Sequence, residues 1–229
     1  MAKFSILVFP GAHGDNDLKV VLESQFGIRA EMIWFRNASP FDTDVLLIPG
    51  GFPCRGSLAS SQCVQDTVVI ELIQNFAAKG KVVCAFGNGF QLLCEAGLLP
   101  GTLERNLSGK FICRSTYIKP DNDYLALTNQ LHNDQAYQIP IATAYGRYDA
   151  SEDLLREMRQ DQQIIFRYCD QAGRISEAVN DTGSVDNIAG VCNKRKNVFG
   201  MIPLPERAVI SGGSRNDGRL LFESLISYL

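Results

Sequence analysis

Short apolar runs alternate with amphipathic segments through the first part of the chain. The runs have the length of buried strands, and the predicted strands are Lys3–Phe9, Ala30–Phe35, Val45–Ile48 and Lys81–Phe86. Between them, apolar residues recur at helical spacing, in one helix through Leu18, Val21, Leu22, Gln25 and Phe26 and in another through Val69, Leu72, Ile73 and Phe76. Asp15 is the expected N-cap of the first helix. The alternation predicts an α/β fold with a doubly wound, mostly parallel sheet.

The second half of the chain is richer in strand-like segments. They are Phe111–Ile118, Gln138–Ala142, Ile164–Tyr168, Val185–Cys192 and Val198–Ile202. A last amphipathic helix is predicted over Asp217–Leu229, with Phe222, Leu225, Ile226 and Leu229 on one face. No repeat, low-complexity tract or linker interrupts the pattern, so we expect one domain over residues 1–229.

The segment Lys81–Gln91 combines an apolar strand, a glycine-flanked turn and the start of a helix. In hydrolases such an elbow lifts one nucleophilic side chain clear of the sheet, next to backbone N–H groups that hold an oxyanion. Here the residue at the tip is Gly87. Glycine has no side chain that can attack a carbonyl. The sequence therefore predicts a nucleophile elbow without its nucleophile.

The elbow and several later motifs resemble those of a known family. Residues 81–101, KVVCAFGNGFQLLCEAGLLPG, are similar to the elbow of class I glutamine amidotransferases, and within them to the glutaminase subunits of phosphoribosylformylglycinamidine synthase, a step in purine synthesis. The further matching segments, in the family's order, are Phe111–Arg114, Ile139–Ala142, Gly183–Asn193 and Gly200–Ala208. The resemblance covers nearly the whole chain and implies a flavodoxin-like fold.

The same resemblance implies which residues occupy the catalytic positions. The family uses a Cys–His–Glu triad, and carried over position by position the cysteine becomes Gly87, the histidine becomes Leu204 and the carboxylate remains as Glu206. The carboxylate of a triad only orients the imidazole, and the imidazole activates the nucleophile. Glu206 alone therefore restores no activity. An ion pair with the adjacent Arg207, or an N-cap role, is its expected function.

The resemblance also implies a set of substrate-binding residues. Gly50 and Gly51 follow the third predicted strand, where they either supply an oxyanion N–H group or form a tight exit turn. Asn88 follows the elbow tip, and Gln91 matches a residue that helps to hold glutamine. With the triad lost, Gln91 is alternatively a helix cap or a solvent-facing residue.

Another cysteine is a poor replacement for the missing nucleophile. Cys84 lies inside the elbow strand, where burial makes a thiol inert. Cys94 falls on the following helix and Cys54 on a loop, and neither has a histidine near it in sequence. The chain has 2 histidines. Of these, His13 follows the first strand, whose end opens towards the same sheet edge as the elbow, so a pair with a distant cysteine remains open.

Composition adds limits on partners and compartment. The formal net charge of −3 offers no electrostatic case for nucleic acid or a membrane surface. The apolar run Phe4–Phe9 is too short for a signal peptide or a membrane span. The 7 cysteines show no framework spacing, which favours a reducing compartment, and we expect a cytoplasmic protein. No metal-ligand spacing appears, and we expect no metal or cofactor in this chain.

Three hypotheses about function follow. The preferred one is a glutaminase-like subunit that still docks to the large synthetase subunit of phosphoribosylformylglycinamidine synthase, together with its small accessory subunit, but cannot hydrolyse glutamine. The synthetase complex is an ATP-dependent carbon–nitrogen ligase, and it would then depend on free ammonia. The second is an active glutaminase with an unrecognised nucleophile. The third is a binding or regulatory module with a small-molecule ligand in the vacated pocket.

Overall fold

The structure is a computed structural model, and it describes residues 2–37, 41–51, 67–209 and 216–229. The helices within these ranges are α1 (Gly14–Phe26), α2 (Thr67–Ala78), α3 (Asn88–Glu95), α4 (Glu152–Gln160) and α5 (Asp217–Tyr228). The strands are β1 (Phe4–Val8), β2 (Ala30–Trp34), β3 (Val45–Ile48), β4 (Val82–Phe86), β5 (Thr102–Glu104), β6 (Ile112–Pro120), β7 (Tyr137–Thr143), β8 (Arg147–Asp149), β9 (Ile164–Cys169), β10 (Ile188–Cys192) and β11 (Val198–Met201). None of these helices is long and apolar enough to cross a membrane.

A 9-stranded sheet in the order β2-β1-β3-β4-β11-β10-β9-β6-β7 organises the described part of the chain. The strands from β2 to β11 pair in parallel. The strands from β11 to β7 continue the sheet with antiparallel pairing. A separate antiparallel pair joins β5 to β8. The parallel half brings the carboxyl ends of β1, β3, β4 and β11 to one edge, which is where open α/β sheets place their sites.

The core lies along the central strands. Every residue of β3, β4, β10 and β11 is buried. Burial of successive residues, which point to opposite sides of a strand, means that the sheet is covered on both faces. Continuous apolar runs are the sequence signature of such strands, and they explain why the periodicity located the strands so closely. The predicted α/β fold is confirmed.

Two local expectations differ from the structure, and several elements were not expected. Asp15 is not the N-cap of α1, because the helix begins at Gly14 and His13 is the capping residue. The expected strand over Val185–Cys192 starts only at Ile188, after a 3₁₀ turn in which Asp186 has a φ of 54°. The helix α4 and the β5–β8 pair lie outside the predicted elements.

Candidate functional site

A cavity of about 520 Å³ lies at the carboxyl ends of the parallel strands. Residues after β1, β3, β4 and β11 meet there, and Ala142 of β7 and Phe111, just before β6, contribute further lining. The described lining residues are Gly11, His13, Gly14, Gly50, Gly51, Gly87, Asn88, Phe111, Ala142, Leu204, Glu206 and Arg207. Its walls are largely glycine backbone and apolar side chains. The elbow, the two triad partner positions and the Gly50–Gly51 turn are thus brought together as the sequence predicts.

Gly87 keeps the backbone conformation of a nucleophile elbow. Its φ is 53° and its ψ is −118°, outside the regions that residues with a side chain ordinarily adopt. The turn is fixed from both sides, because Gly87 N donates to Met201 O at 2.9 Å and Gly87 O accepts from Phe90 N at 3.1 Å. The elbow geometry is therefore retained although the nucleophile is absent.

Leu204 lies directly opposite the elbow. A Cβ atom built on Gly87 would be 3.3 Å from Leu204 Cδ2 and 3.4 Å from Gly50 Cα. Leu204 is itself buried, and its backbone N donates to Pro140 O of β7 at 2.9 Å. The two positions that the resemblance assigns to the nucleophile and the base therefore lie next to each other. Neither side chain present can accept, donate or transfer a proton.

Glu206 is the one carboxylate among the described residues of the cavity wall. It lies on the 3₁₀ turn Pro205–Ala208 after β11 and is 3% exposed. Neither carboxylate oxygen has a hydrogen-bond partner among the described residues. Gly14 makes room for the carboxylate, since Oε1 is 3.2 Å from where a Cβ on Gly14 would lie. Burial raises the pKa of Glu206 to about 8, against the opposing effects of its own backbone N–H and of Arg207.

The expected ion pair between Glu206 and Arg207 is wrong. Arg207 Nε lies 3.1 Å from Asp17 Oδ2 on α1, while both oxygens of Glu206 stay unpaired. Adjacent residues on a 3₁₀ turn point in different directions, and Arg207 is directed to the surface where Asp17 lies. Glu206 is not an N-cap acceptor either, because Leu204 occupies the N-cap position and no side chain caps the turn.

A hydrogen bond within the protein engages the Gly51 N–H, one of the groups expected to hold an oxyanion. Gly51 N donates a long hydrogen bond of 3.4 Å to Asn88 Oδ1, which joins the turn after β3 to the residue that follows the elbow tip. Gly50 must stay small, because a Cβ there would be 3.1 Å from Phe86 O. Gly51 must also stay small, because a Cβ there would be 3.0 Å from the Cβ of His13. Gly50, Gly51 and Asn88 all line the cavity, and their role in substrate binding stays a prediction.

Gln91 lies away from the cavity wall. It is 3% exposed, so the solvent-facing alternative is wrong. Its Nε2 donates to Glu95 Oε1 at 2.8 Å, one turn further along α3, and its Oε1 has no partner among the described residues. Gln91 is not among the described lining residues. A substrate-binding role for Gln91 stays a prediction that the geometry of the cavity does not support.

The described cysteines lie outside the cavity. Cys84 and Cys94 are buried, and burial raises the pKa of both thiols well above the ordinary value. His13 lines the cavity and is exposed, but no described cysteine lines it. Cys54 lies outside the described residues. Within residues 2–37, 41–51, 67–209 and 216–229, no group of three or more His, Cys, Asp and Glu side chains is placed to hold a metal ion.

The comparisons with known proteins agree with this geometry. A model of the CobB/CobQ-like glutamine amidotransferase domain matches residues 1–215. The chain belongs to this glutamine amidotransferase family. Among curated members, the phosphoribosylformylglycinamidine synthase subunit PurQ of Salinibacter ruber is 40% identical over 228 residues, which is 100% of this chain and 97% of that protein. The PurQ subunit of Aquifex aeolicus is 41% identical over 225 residues, covering 98% of this chain and 99% of that protein.

A solved amidotransferase structure gives the same result for the fold. A chain of the PurLQS structure from Thermotoga maritima superposes with a TM-score of 0.84 at 31% identity, covering 100% of this chain and 99% of that chain. The resemblance to the PurQ subunits is therefore confirmed over the whole chain. Gly87 and Leu204 are the residues at the two positions that the family resemblance assigns to the nucleophile and the base.

Proposed function

We propose that this chain is the glutaminase-like subunit of a phosphoribosylformylglycinamidine synthase, and that it cannot hydrolyse glutamine. The observation that carries the proposal is the contact between Gly87 and Leu204 across the cavity. The elbow tip and residue 204 lie next to each other, but a hydrogen atom and an isobutyl group stand where a nucleophile and its base would be needed.

The chemistry of a triad explains why no partial activity is expected. Residues that act as a unit are not additive: in subtilisin, loss of the nucleophile or the base alone lowers turnover by about 10⁶. In this chain both are replaced, and the remaining carboxylate of Glu206 has no imidazole to orient. The Gly51 N–H that would stabilise an oxyanion points at Asn88 Oδ1 instead.

The retained scaffold supports a role in an assembly. The similarity to PurQ subunits extends over the whole chain, and the matched Thermotoga maritima chain belongs to a structure named PurLQS. We infer that the large synthetase subunit, with the small accessory subunit, is the partner of this chain, that the complex works in the cytoplasm, and that its nitrogen comes from free ammonia.

The deciding experiment is synthesis of phosphoribosylformylglycinamidine by the cognate synthetase, with and without this chain, using glutamine or ammonium as the nitrogen donor. We expect no glutamine-driven synthesis that depends on this chain, and an ammonium-driven rate that rises when it is added. Glutamine-driven turnover that requires this chain would refute the proposal. A variant of the chain with Gly87→Cys and Leu204→His together is the positive control for the assembly, because it restores both missing side chains.

An active glutaminase with an unrecognised nucleophile is the competing function, and the burial of Cys84 and Cys94 weighs against it. Labelling with an electrophilic glutamine analogue, followed by mass spectrometry of the digested chain, tests every cysteine at once. We expect no cysteine to be labelled faster than in the denatured chain. Fast, stoichiometric labelling of one cysteine that glutamine protects would identify the nucleophile.

A further inference from the structure

The Glu206 side chain in the cavity wall needs hydrogen-bond donors that the described residues do not supply. Its side chain is almost completely buried, with a relative exposure of 3%, and it lines the cavity beside Leu204 and the glycine turns. Both of its oxygens lack a hydrogen-bond partner among the described residues. Buried polar groups in folded proteins are nearly always paired, and an exception calls for a specific explanation such as a ligand.

No cation of the described structure neutralises this carboxylate. Arg207, on the same turn, is held by Asp17 of α1, and the two opposite charges act on Glu206 in opposing directions. His13 of the α1 N-terminus lines the same cavity but is exposed. On the other packed elements, Asp217 of α5 accepts a hydrogen bond from the backbone N of Gln138 on β7. Among the described residues, no cation therefore pairs with the Glu206 carboxylate.

The residues of the cavity wall limit which kind of ligand can pair with the Glu206 carboxylate. An anion would meet the carboxylate and gain no described cation, since Arg207 is already paired. A divalent metal ion needs several oxygen or nitrogen ligands, and Glu206 is the only carboxylate among the described lining residues. Leu204, Ala142 and Phe111 provide apolar surface for a short hydrocarbon body. A volume of about 520 Å³ accommodates a molecule of that size.

We propose that the cavity binds a small organic cation that carries N–H groups, a primary ammonium or a guanidinium, with Glu206 as its counter-ion and its apolar body against Leu204, Ala142 and Phe111. The N–H groups would pair with the two buried carboxylate oxygens that lack a partner among the described residues, and the positive charge would replace the proton that a buried carboxylate otherwise retains. This proposal concerns a ligand site and does not depend on whether the chain docks to a synthetase.

Proton release provides a direct test on the unmodified chain. Calorimetric titration with n-butylammonium chloride, in two buffers of different ionisation enthalpy, gives both the affinity and the number of protons released. Because burial raises the pKa of Glu206 to about 8, binding is expected to release more protons at pH 7 than at pH 9, while the ligand stays charged. Absence of saturable binding at both pH values, or binding without proton release at pH 7, would overturn the proposal.

Matched ligands and variants separate the cation site from unspecific binding. We expect n-butyltrimethylammonium, which has the charge but no N–H group, and neutral 1-butanol to bind at least tenfold more weakly. Glu206→Gln, which keeps the shape, is expected to lower the affinity for n-butylammonium at least tenfold, while the exposed Glu177→Gln leaves it unchanged. Equal binding of the quaternary ion, or full affinity in Glu206→Gln, would refute the assignment. Comparison with n-butylguanidinium shows which head group is preferred.

The cation site and the proposed function fail in different experiments. Glutamine hydrolysis by the wild-type chain would refute the loss of glutaminase activity and leave the proton-release result standing. Conversely, a chain that stimulates ammonium-driven synthesis but binds no cation in the calorimeter would refute this site alone.

Discussion

A side chain at position 87 is expected to destabilise the folded chain. Gly87 has a φ of 53° and a ψ of −118°, a backbone region that costs a residue with a Cβ about 1–3 kcal/mol. The new Cβ would also be 3.3 Å from Leu204 Cδ2 and 3.4 Å from Gly50 Cα, closer than most Cβ contacts. We therefore expect Gly87→Cys and Gly87→Ala each to lower the free energy of unfolding by about 2 kcal/mol. For a chain of this size such a loss lowers Tm by about 4–8 °C.

Urea unfolding of the two variants measures this cost, and a second glycine provides the control. Gly27 also has a positive φ, 65°, but nothing lies within 4 Å of its Cβ position, so Gly27→Ala should cost about 1 kcal/mol. In a Leu204→Ala background the contact with Cδ2 is gone, and the remaining cost of Gly87→Ala reports the backbone conformation together with the approach to Gly50 Cα. Gly87 variants as stable as the wild type would refute the strained elbow.

Four further predictions concern the cavity, the cysteines and helix α3. The folded state binds the Glu206 proton more tightly than the unfolded state, because burial raises its pKa from 4.5 to about 8; the unfolding free energy of the wild type should fall relative to Glu206→Gln as the pH rises through that window, and parallel pH curves from urea unfolding would contradict this. Gly87→Cys alone should release no ammonia from glutamine in a coupled assay, since Leu204 cannot act as a base; measurable release would sink that reasoning. Under native alkylation and mass spectrometry, exposed Cys113 should react and buried Cys84 should not; equal labelling would show that β4 opens. Gly89→Ala places a Cβ 2.6 Å from Ile48 O, so α3 should be displaced and urea unfolding should show a loss of about 1–3 kcal/mol; an unchanged midpoint would mean that the helix shifts freely.

The strands were predictable from sequence because burial on both faces leaves a direct signature. The residues of β3 and β4 form unbroken apolar runs, and the structure places both strands in the centre of the sheet. The position of the elbow followed from the same pattern, since a turn between a buried strand and an amphipathic helix has few alternatives. The meeting of Gly87 and Leu204 followed from the family motifs.

Contacts between distant residues were not predictable in the same way. Arg207 lies next to Glu206 in sequence, but its partner Asp17 is 190 residues away, and only the packing of α1 reveals it. The strands β5 and β8 are too short to show a period and are defined by pairing with each other. The helix α4 did have a signal: Ser151 caps it through Leu154 N, and two acidic residues follow. That cap could have identified the helix.

The bond from Leu204 N to Pro140 O also bears on what one edge of the sheet offers to another chain. The strand β7 lies at the edge of the sheet, and an edge strand offers free N–H and C=O groups to a second chain. Pro140 has no N–H group, and its carbonyl already accepts the hydrogen bond from Leu204 at 2.9 Å. The middle of the edge therefore offers neither donor nor acceptor to an incoming strand. One contact thus holds Leu204 in the cavity wall and makes the middle of β7 a poor template for an incoming strand.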